Sequence, residues 1–202
     1  MLQFKLLCRF HQNMKANKDN NKCGFTLIEL LLSLAISSII VVTLYSILKF
    51  TITACKIGDM EDEILLNGKY AIEYIKKEIQ TADAIIAIDK FEGLRDEYEK
   101  NIGFVILHYF PKDNLKYNYS TYYHKDNGIY RIGTNVDSEL YPKVSSFTKG
   151  GHNKVADYVV SIDGTGIDFE ANIIELCFTL QESRGRSTIF KTKSIIRCPA
   201  IY

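Results

Sequence analysis

The sequence lacks the features that mark most enzymes. Its 202 residues contain no tryptophan, 3 prolines and 4 histidines. Three of those histidines, His108, His124 and His152, are scattered, without the close spacing that metal ligands need. The predicted outer domain offers no specific pair of catalytic acids, no specific Ser/His/Asp arrangement and no phosphate-binding glycine loop. We therefore predict a protein that is not an enzyme and that uses no cofactor.

The chain also has no excess of charge of one sign. Its formal net charge is +1. Residues 1–24 hold five basic side chains and one acidic side chain, so the remainder carries a formal charge of −3. Such a weakly acidic chain gives no electrostatic reason to expect nucleic acid as a partner.

The 5 cysteines, at positions 8, 23, 55, 177 and 198, form no evident disulfide framework. If Arg184-Gly185 is the turn of a hairpin, Cys177 faces residues 191–193, and Cys198 then lies roughly 17 Å further along the strand. That separation exceeds the roughly 7 Å between Cα atoms that a disulfide tolerates. A bridge between Cys177 and Cys198 would need a different strand order, and two buried thiols are the favoured alternative.

The most informative feature that is present lies near the N-terminus. Gly24 is followed by Phe25-Thr26-Leu27-Ile28-Glu29, and then by nineteen residues without a charge, from Leu30 to Leu48. As a helix, residues 25–50 would extend about 39 Å, enough to cross a bilayer core of about 30 Å. This run is too long for an ordinary cleaved secretion signal. We therefore predict a membrane-spanning helix over residues 25–50.

Glu29 is costly within that helix, because an acidic side chain in hydrocarbon is destabilising by roughly 2.5 to 3.5 kcal/mol at the helix centre. It is therefore expected to have a charged partner. A cut after Gly24 would create one, the protonated α-amino group of Phe25.

The flanking charges predict the orientation. Basic residues dominate before Gly24, whereas Asp59, Glu61, Asp62 and Glu63 follow the apolar run. By the positive-inside rule, the N-terminus is cytoplasmic and the residues after Phe50 lie outside the cytoplasmic membrane.

A basic leader, Gly24 before Phe25, Thr-Leu-Ile-Glu and a long apolar run together resemble the class III signal of type IV prepilins and of the pseudopilins of type II secretion. The resemblance implies that prepilin peptidase cuts after Gly24 and that Phe25 becomes the N-methylated N-terminus. It also implies that Glu29 attracts the N-terminal amine of a neighbouring subunit during assembly. Two features depart from the family: Cys23 stands where a basic residue is frequent, and the leader is long, which makes Met14 a candidate for the true start.

Four features follow in order: a helix ending at Tyr74–Ala82, a hairpin reaching Ile129-Tyr130-Arg131, the segment Val155–Val159, and a last strand closing at Arg197. In this order they resemble the larger minor pilins and J-type minor pseudopilins. The family then implies a minor subunit that initiates or caps a type IV pilus, or a pseudopilus of a type II secretion or competence system. The implied partners are other pilins or pseudopilins, prepilin peptidase, an inner-membrane assembly platform and membrane lipid. The alternatives are a major pilin, or an unprocessed single-pass membrane protein whose outer domain binds a ligand.

Beyond the membrane segment, apolar residues recur at helical spacing with charged residues between them, at Met60, Ile64, Leu65, Ala71, Ile72, Ile75 and Ile79. This pattern predicts an amphipathic helix. It is expected to continue the membrane helix, giving one helix over residues 25–82. Gly58 and Gly68 are its weak points, and a break near Gly58 is the alternative.

Residues 83–202 are predicted to form an antiparallel β-sheet domain, and residues 83–100 a surface connection or short helix. Strand-like runs cover residues 102–109, 116–124, 129–133, 155–162, 173–181 and 187–197. Asp126-Asn127-Gly128 is the strongest hairpin signal. We therefore predict an α+β, pilin-like fold, with a long N-terminal helix packed on the C-terminal sheet.

Two further groups are candidates for binding. Asp163 and Asp168, separated by Gly164-Thr165-Gly166-Ile167, could ligate calcium, although the segment lacks the full pattern of a calcium loop and an ordinary turn is favoured. Tyr117, Tyr119, Tyr122 and Tyr123 could form a contact surface, but half-buried sheet residues are the commoner outcome for such tyrosines.

Overall fold

The computed structural model describes residues 25–182 and 185–202. These residues divide into two compact units, one that ends at Ala54 and one from Cys55 to Tyr202. The predicted leader, with its cut site after Gly24 and the candidate start at Met14, lies outside the described residues.

A single helix, α1, spans Leu27–Thr81. The first proline of the sequence is Pro111, so nothing in this stretch removes a backbone hydrogen bond from the helix. α1 also passes through Gly58 and Gly68 as regular helix. The alternative of a break near Gly58 is therefore wrong. The last residue of α1, Thr81, donates its hydroxyl to the Lys77 carbonyl at 3.0 Å.

The second unit contains two β-sheets. The strands are β1 Ala84–Ala87, β2 Phe104–Tyr109, β3 Tyr117–Lys125, β4 Gly128–Val136, β5 His152–Asp157, β6 Val159–Ser161, β7 Gly166–Asp168, β8 Ile173–Leu180, β9 Thr188–Ile195 and β10 Ala200–Ile201. A six-stranded sheet has the order β10-β1-β2-β3-β4-β5. All its pairs are antiparallel except β1 with β10. In the four-stranded sheet, β6 and β7 pair with one side of β8, and β9 pairs with β8 as well. Short helices, α2 Leu94–Glu97 and α3 Val144–Lys149, and a 3-10 turn Ile88–Lys90, lie in the connections.

The predicted hairpin between β3 and β4 is present. Lys125 pairs with Gly128, so the two loop residues are Asp126 and Asn127. Their φ angles are +46° and +54°. Positive φ at both loop residues is the geometry that matches the twist of the flanking strands, and Asp and Asn tolerate it better than most residues.

Two hydrophobic clusters hold the second unit together. The first joins the buried face of α1 to both sheets, and its members include Ile64, Ile72, Ile75, Ile79, Phe104, Tyr122, Leu176 and Phe178. The second covers the opposite face of the six-stranded sheet, and it includes Ile86, Phe91, Leu94, Tyr119, Tyr123, Ile132 and Phe147. The predicted α+β, pilin-like fold is confirmed, and the six-stranded sheet is buried on both faces.

Two predicted segments differ from the structure. Residues 83–100 begin with the buried strand β1, which a run of only four residues, Ala-Ile-Ile-Ala, did not distinguish from a connection. Residues 155–162 form parts of two strands in different sheets, with Tyr158 between them at a φ of +64°. Ala156 and Val159 are both buried, so the alternation shifts by one residue at the change of sheet. The strand-like composition continues across this point, so propensity alone does not reveal the change.

Candidate functional site

The first described residues form a compact hydrogen-bonded site at the start of α1. The backbone N–H and the hydroxyl of Thr26 both donate to Oε2 of Glu29, each at 2.9 Å. In return, the Glu29 N–H donates to the Thr26 hydroxyl oxygen at 3.3 Å. This reciprocal pair is a capping box, which a Thr or Ser followed three residues later by Glu predicts directly. We did not predict this capping box, although Thr26-Leu27-Ile28-Glu29 carries its pattern.

The capping box gives the Glu29 carboxylate hydrogen-bond donors within its own helix. A helix start leaves its first N–H groups without partners inside the helix, and the Thr26 and Glu29 side chains supply two acceptors there. One carboxylate oxygen of Glu29, Oε2, takes both Thr26 bonds. The other oxygen, Oε1, accepts no hydrogen bond from residues 25–182 or 185–202. Glu29 therefore stabilises its own helix while keeping one oxygen open to a cation.

The segment that follows presents an apolar surface. The large apolar side chains from Leu27 to Leu48 are all more than half exposed. Four of the six hydroxyls in this run, at Ser33, Ser38, Thr43 and Ser46, donate to a backbone carbonyl three or four residues earlier. Polar groups satisfied within the helix are compatible with hydrocarbon. α1 is the one described helix long and apolar enough to cross a membrane.

A second polar site joins α1 to the six-stranded sheet. The Arg131 Nε donates to Oε1 of Glu78 at 2.9 Å. The Tyr122 hydroxyl donates to Oε2 of the same carboxylate at 2.5 Å. The side chains of Glu78 and Arg131 are 17% and 18% exposed. An ion pair this far from solvent is sensitive to loss of either partner, because the remaining charge is left without compensation.

Burial also shifts the acid–base behaviour of the neighbouring tyrosines. Burial, reinforced by the Glu78 charge, raises the pKa of Tyr122 far above its ordinary value. Burial likewise raises the pKa of Tyr119 to about 12. For Arg131, burial is the largest influence and by itself lowers the pKa, but the charge and hydrogen bond of Glu78 together with Tyr122 and Tyr74 raise the pKa of the guanidinium on balance. All three groups therefore favour the form that they have at neutral pH.

The four tyrosines that were candidates for a contact surface are mostly interior, in line with the favoured alternative of sheet residues. Tyr119 and Tyr122 are fully buried, and Tyr123 is nearly so. Tyr117 is half-buried and its ring is tilted against that of Tyr109, with ring centroids 5.0 Å apart. Three of the four tyrosines therefore belong to the core.

The calcium candidates lie in local turns. Asp163 accepts a hydrogen bond from the Ser161 hydroxyl at 2.6 Å, and Asp168 accepts one from the Ala171 N–H at 2.9 Å. Within residues 25–182 and 185–202, no three His, Cys, Asp or Glu side chains are grouped so as to hold a metal ion. Asp163 and Asp168 stay a candidate for calcium beside the favoured ordinary turn, and titration of the protein with the ion would test it.

The thiols follow the predicted hairpin. Cys177 pairs with Lys191 across β8 and β9, as the turn near Gly185 predicts. Among the residues that the structure describes, Cys55, Cys177 and Cys198 are free thiols.

Comparison with protein-family models identifies the N-terminal feature. Residues 19–45 match the prokaryotic N-terminal methylation motif. This motif is the class III signal of type IV pilins and pseudopilins. No curated protein and no solved structure matches the chain. The chain therefore carries a pilin-type signal ahead of an α+β, pilin-like fold, which indicates a structural subunit rather than an enzyme.

Proposed function

We propose that this protein is a minor pilin or minor pseudopilin, cut by prepilin peptidase after Gly24 and N-methylated on Phe25. It enters a short complex that initiates or caps a type IV pilus, or a pseudopilus for secretion or DNA uptake. Its partners are other pilins or pseudopilins and the inner-membrane assembly platform. The observation that carries the proposal is the methylation motif over residues 19–45, which contains both the cut site and Glu29.

The exposed apolar segment supports assembly from the membrane. Before assembly, lipid covers the side chains from Leu27 to Leu48, with the N-terminus in the cytoplasm and residues after Phe50 outside. After assembly, the same surface is covered by the corresponding helices of neighbouring subunits. Moving a large apolar surface from lipid to a helix bundle gains little free energy, because lipid tails are equally apolar. A specific attraction is therefore needed to favour the bundle over the membrane. The Glu29 carboxylate and a neighbour's N-terminal amine supply it in a medium of low dielectric constant.

The decisive test is the mass of the membrane form. The full chain is expressed in a bacterium with an active prepilin peptidase and in a strain without it. The first should yield a protein that begins at Phe25 and carries one methyl group, and the second an uncut chain whose mass shows whether Met1 or Met14 is the start. Gly24→Val is the matched control, because a branched side chain should block cutting without altering the helix. An intact bond between Gly24 and Phe25 in the first strain would instead favour the single-pass receptor.

The minor role needs its own measurement. Sheared filaments should contain this subunit in far lower amounts than the main subunit, and its loss should reduce the number of filaments rather than their length. High abundance along the filament would identify it as a major pilin and contradict the initiation role.

A further inference from the structure

Strand β9 leaves one side of its backbone without a partner. It pairs with β8 along its whole length, from Thr188 opposite Leu180 to Ile195 opposite Ile173. Within residues 25–182 and 185–202, no other strand pairs with it. In an antiparallel edge strand, alternate N–H and C=O groups point away from the sheet and remain free to bond another chain.

The two faces of β9 differ. On one face, the Phe190 ring lies against the backbone of α1 at Gly68, and Ser194 is buried. On the other face, Ile189, Lys191, Lys193 and Ile195 are exposed, and both isoleucines are 66% exposed. Along this free edge of eight residues, two basic side chains therefore lie between two apolar ones on the outward face.

The charge on this outward face is positive. Lys191 and Lys193 both pair with Glu175 of the adjacent strand β8, the former at 3.5 Å. One carboxylate between two ammonium groups leaves a net charge of about +1. Since directly opposed like charges are destabilising across strands, and opposite charges stabilising, this face selects the charge of any strand that is added.

The same charges argue against a second copy of this chain. An antiparallel pair of β9 strands centred on Thr192 would place Lys191 of each copy opposite Lys193 of the other. That arrangement brings four lysines together across one edge, with only two carboxylates to compensate them. The complementary partner is instead a strand with acidic side chains opposite the lysines.

We propose that β9 is a strand-addition site for an extended segment of a different protein, in which two acidic side chains alternate along the strand between two apolar ones. The partner's backbone hydrogen-bonds to the free edge, its acidic side chains lie opposite Lys191 and Lys193, and its apolar side chains cover Ile189 and Ile195. The site does not depend on cutting after Gly24, so its test is separate from the test of processing.

The test uses the full chain in a non-ionic detergent and fluorescently labelled peptides, with anisotropy as the readout. The probe is Val-Thr-Glu-Thr-Glu-Thr-Val, and the control is Val-Thr-Lys-Thr-Lys-Thr-Val. At low salt, the acidic peptide should bind at least about fivefold more tightly than the basic one, from two cross-strand charge pairs. The ratio should shrink at high salt because exposed charges are screened.

Two further arms make the assignment specific. The exchange Lys191→Glu, Lys193→Glu with Glu175→Lys keeps the internal ion pairs and should reverse the peptide preference. The milder pair Lys191→Gln and Lys193→Gln leaves only the Glu175 carboxylate on this face, so the acidic peptide should lose its advantage over the basic one. This pair serves if the exchanged chain does not fold. Two further acidic peptides test the backbone hydrogen bonds between the peptide and β9. Each is N-methylated on one of the two alternating sets of amides, and only one of these sets faces β9. One of them should lose binding, and the other should keep it.

Several outcomes would overturn the proposal. They are equal binding of the acidic and basic peptides, no binding at millimolar peptide, and equal loss or retention of binding for the two methylated peptides. Self-association of the full chain that protects the β9 amides from hydrogen exchange would also overturn it, because it would assign the edge to a second copy.

Discussion

Gly68 and Gly58 should respond in opposite directions to the same substitution. Both lie within α1, where replacing glycine by alanine gains about 1 kcal/mol from helix propensity alone. A Cβ at Gly58 would meet nothing within 4 Å. A Cβ at Gly68 would lie 2.5 Å from both Cδ2 and Cζ of the Phe190 ring, and closer still to Cε2. The two positions therefore share the gain and differ in the clash.

The size of the clash follows from these distances. Carbon atoms pack best at about 3.5–4.0 Å, so the Phe190 ring must move by more than about 1 Å. Such overpacking costs typically about 1–3 kcal/mol. After the propensity gain, we expect Gly68→Ala to lower the free energy of unfolding by up to about 2 kcal/mol. Gly58→Ala should raise it by up to about 1 kcal/mol, or leave it unchanged if that turn stays helical when the second unit unfolds.

The assay is equilibrium unfolding of the full chain in detergent micelles by urea. The chain has 13 tyrosines and no tryptophan, so tyrosine fluorescence and near-ultraviolet circular dichroism report on the second unit. A change in the midpoint at constant slope measures the change in stability.

A double-mutant cycle isolates the contact. In a Phe190→Ala background the ring is gone, so Gly68→Ala should become neutral or stabilising, like Gly58→Ala. If Gly68→Ala is equally destabilising with and without the Phe190 ring, the close approach is not the cause. Stabilisation by Gly68→Ala in the wild-type background would refute the reasoning outright.

Three further perturbations test other parts of the molecule. Glu78→Ala should lower the free energy of unfolding by up to about 3 kcal/mol, measured by the same urea assay, because it leaves the mostly buried Arg131 guanidinium without its partner. Stability should also fall as the pH rises above about 10: the raised pKa values of Tyr119 and Tyr122 mean that the unfolded chain loses these protons first. Tyr122→Phe should reduce that slope by up to about 1.4 kcal/mol per pH unit. Glu29→Gln should permit insertion and cutting but impair incorporation into filaments, measured by quantifying the subunit in sheared filaments against the membrane fraction.

Exposed residues of the same type provide the controls. Glu92→Ala removes an exposed carboxylate and Tyr202→Phe an exposed hydroxyl. The first should leave the free energy of unfolding within about 0.5 kcal/mol of wild type, and the second should leave its alkaline slope unchanged. Glu61→Gln removes an exposed charge elsewhere on α1 and should leave incorporation unchanged. An alkaline slope unaffected by Tyr122→Phe, or incorporation equally reduced by Glu61→Gln, would contradict the assigned roles.

The sequence predicts the helix well because its evidence is local. The spacing of Ile64, Ile72, Ile75 and Ile79 predicts one face, and all four are buried. We predicted Leu65 on the same face of the helix, but it is 49% exposed. It lies one residue beyond Ile64, so it points about 100° away around the helix. Spacing identifies a face more reliably than it defines the edges of that face.

Contacts between distant parts of the chain were not predictable in the same way. Gly68 was interpreted as a weak point of the helix, whereas the structure shows that it admits the Phe190 ring. Glu78 follows Lys76 and Lys77 in a charged stretch typical of a solvated face, and its partner Arg131 is 53 residues away in sequence. Each residue is unremarkable locally, and its role depends on which strand the fold places opposite α1.

The capping box refines the interpretation of Glu29. A carboxylate that both capped its helix and paired with a neighbour's amine through the same oxygen would face competition between the two roles. In the structure, Thr26 uses Oε2 alone, so Oε1 can accept a proton donor without breaking the cap. The substitutions separate the roles: Glu29→Gln removes the charge but keeps a residue that completes capping boxes, whereas Thr26→Val removes the cap and keeps the charge. If charge selects the filament, the first change should impair incorporation more than the second.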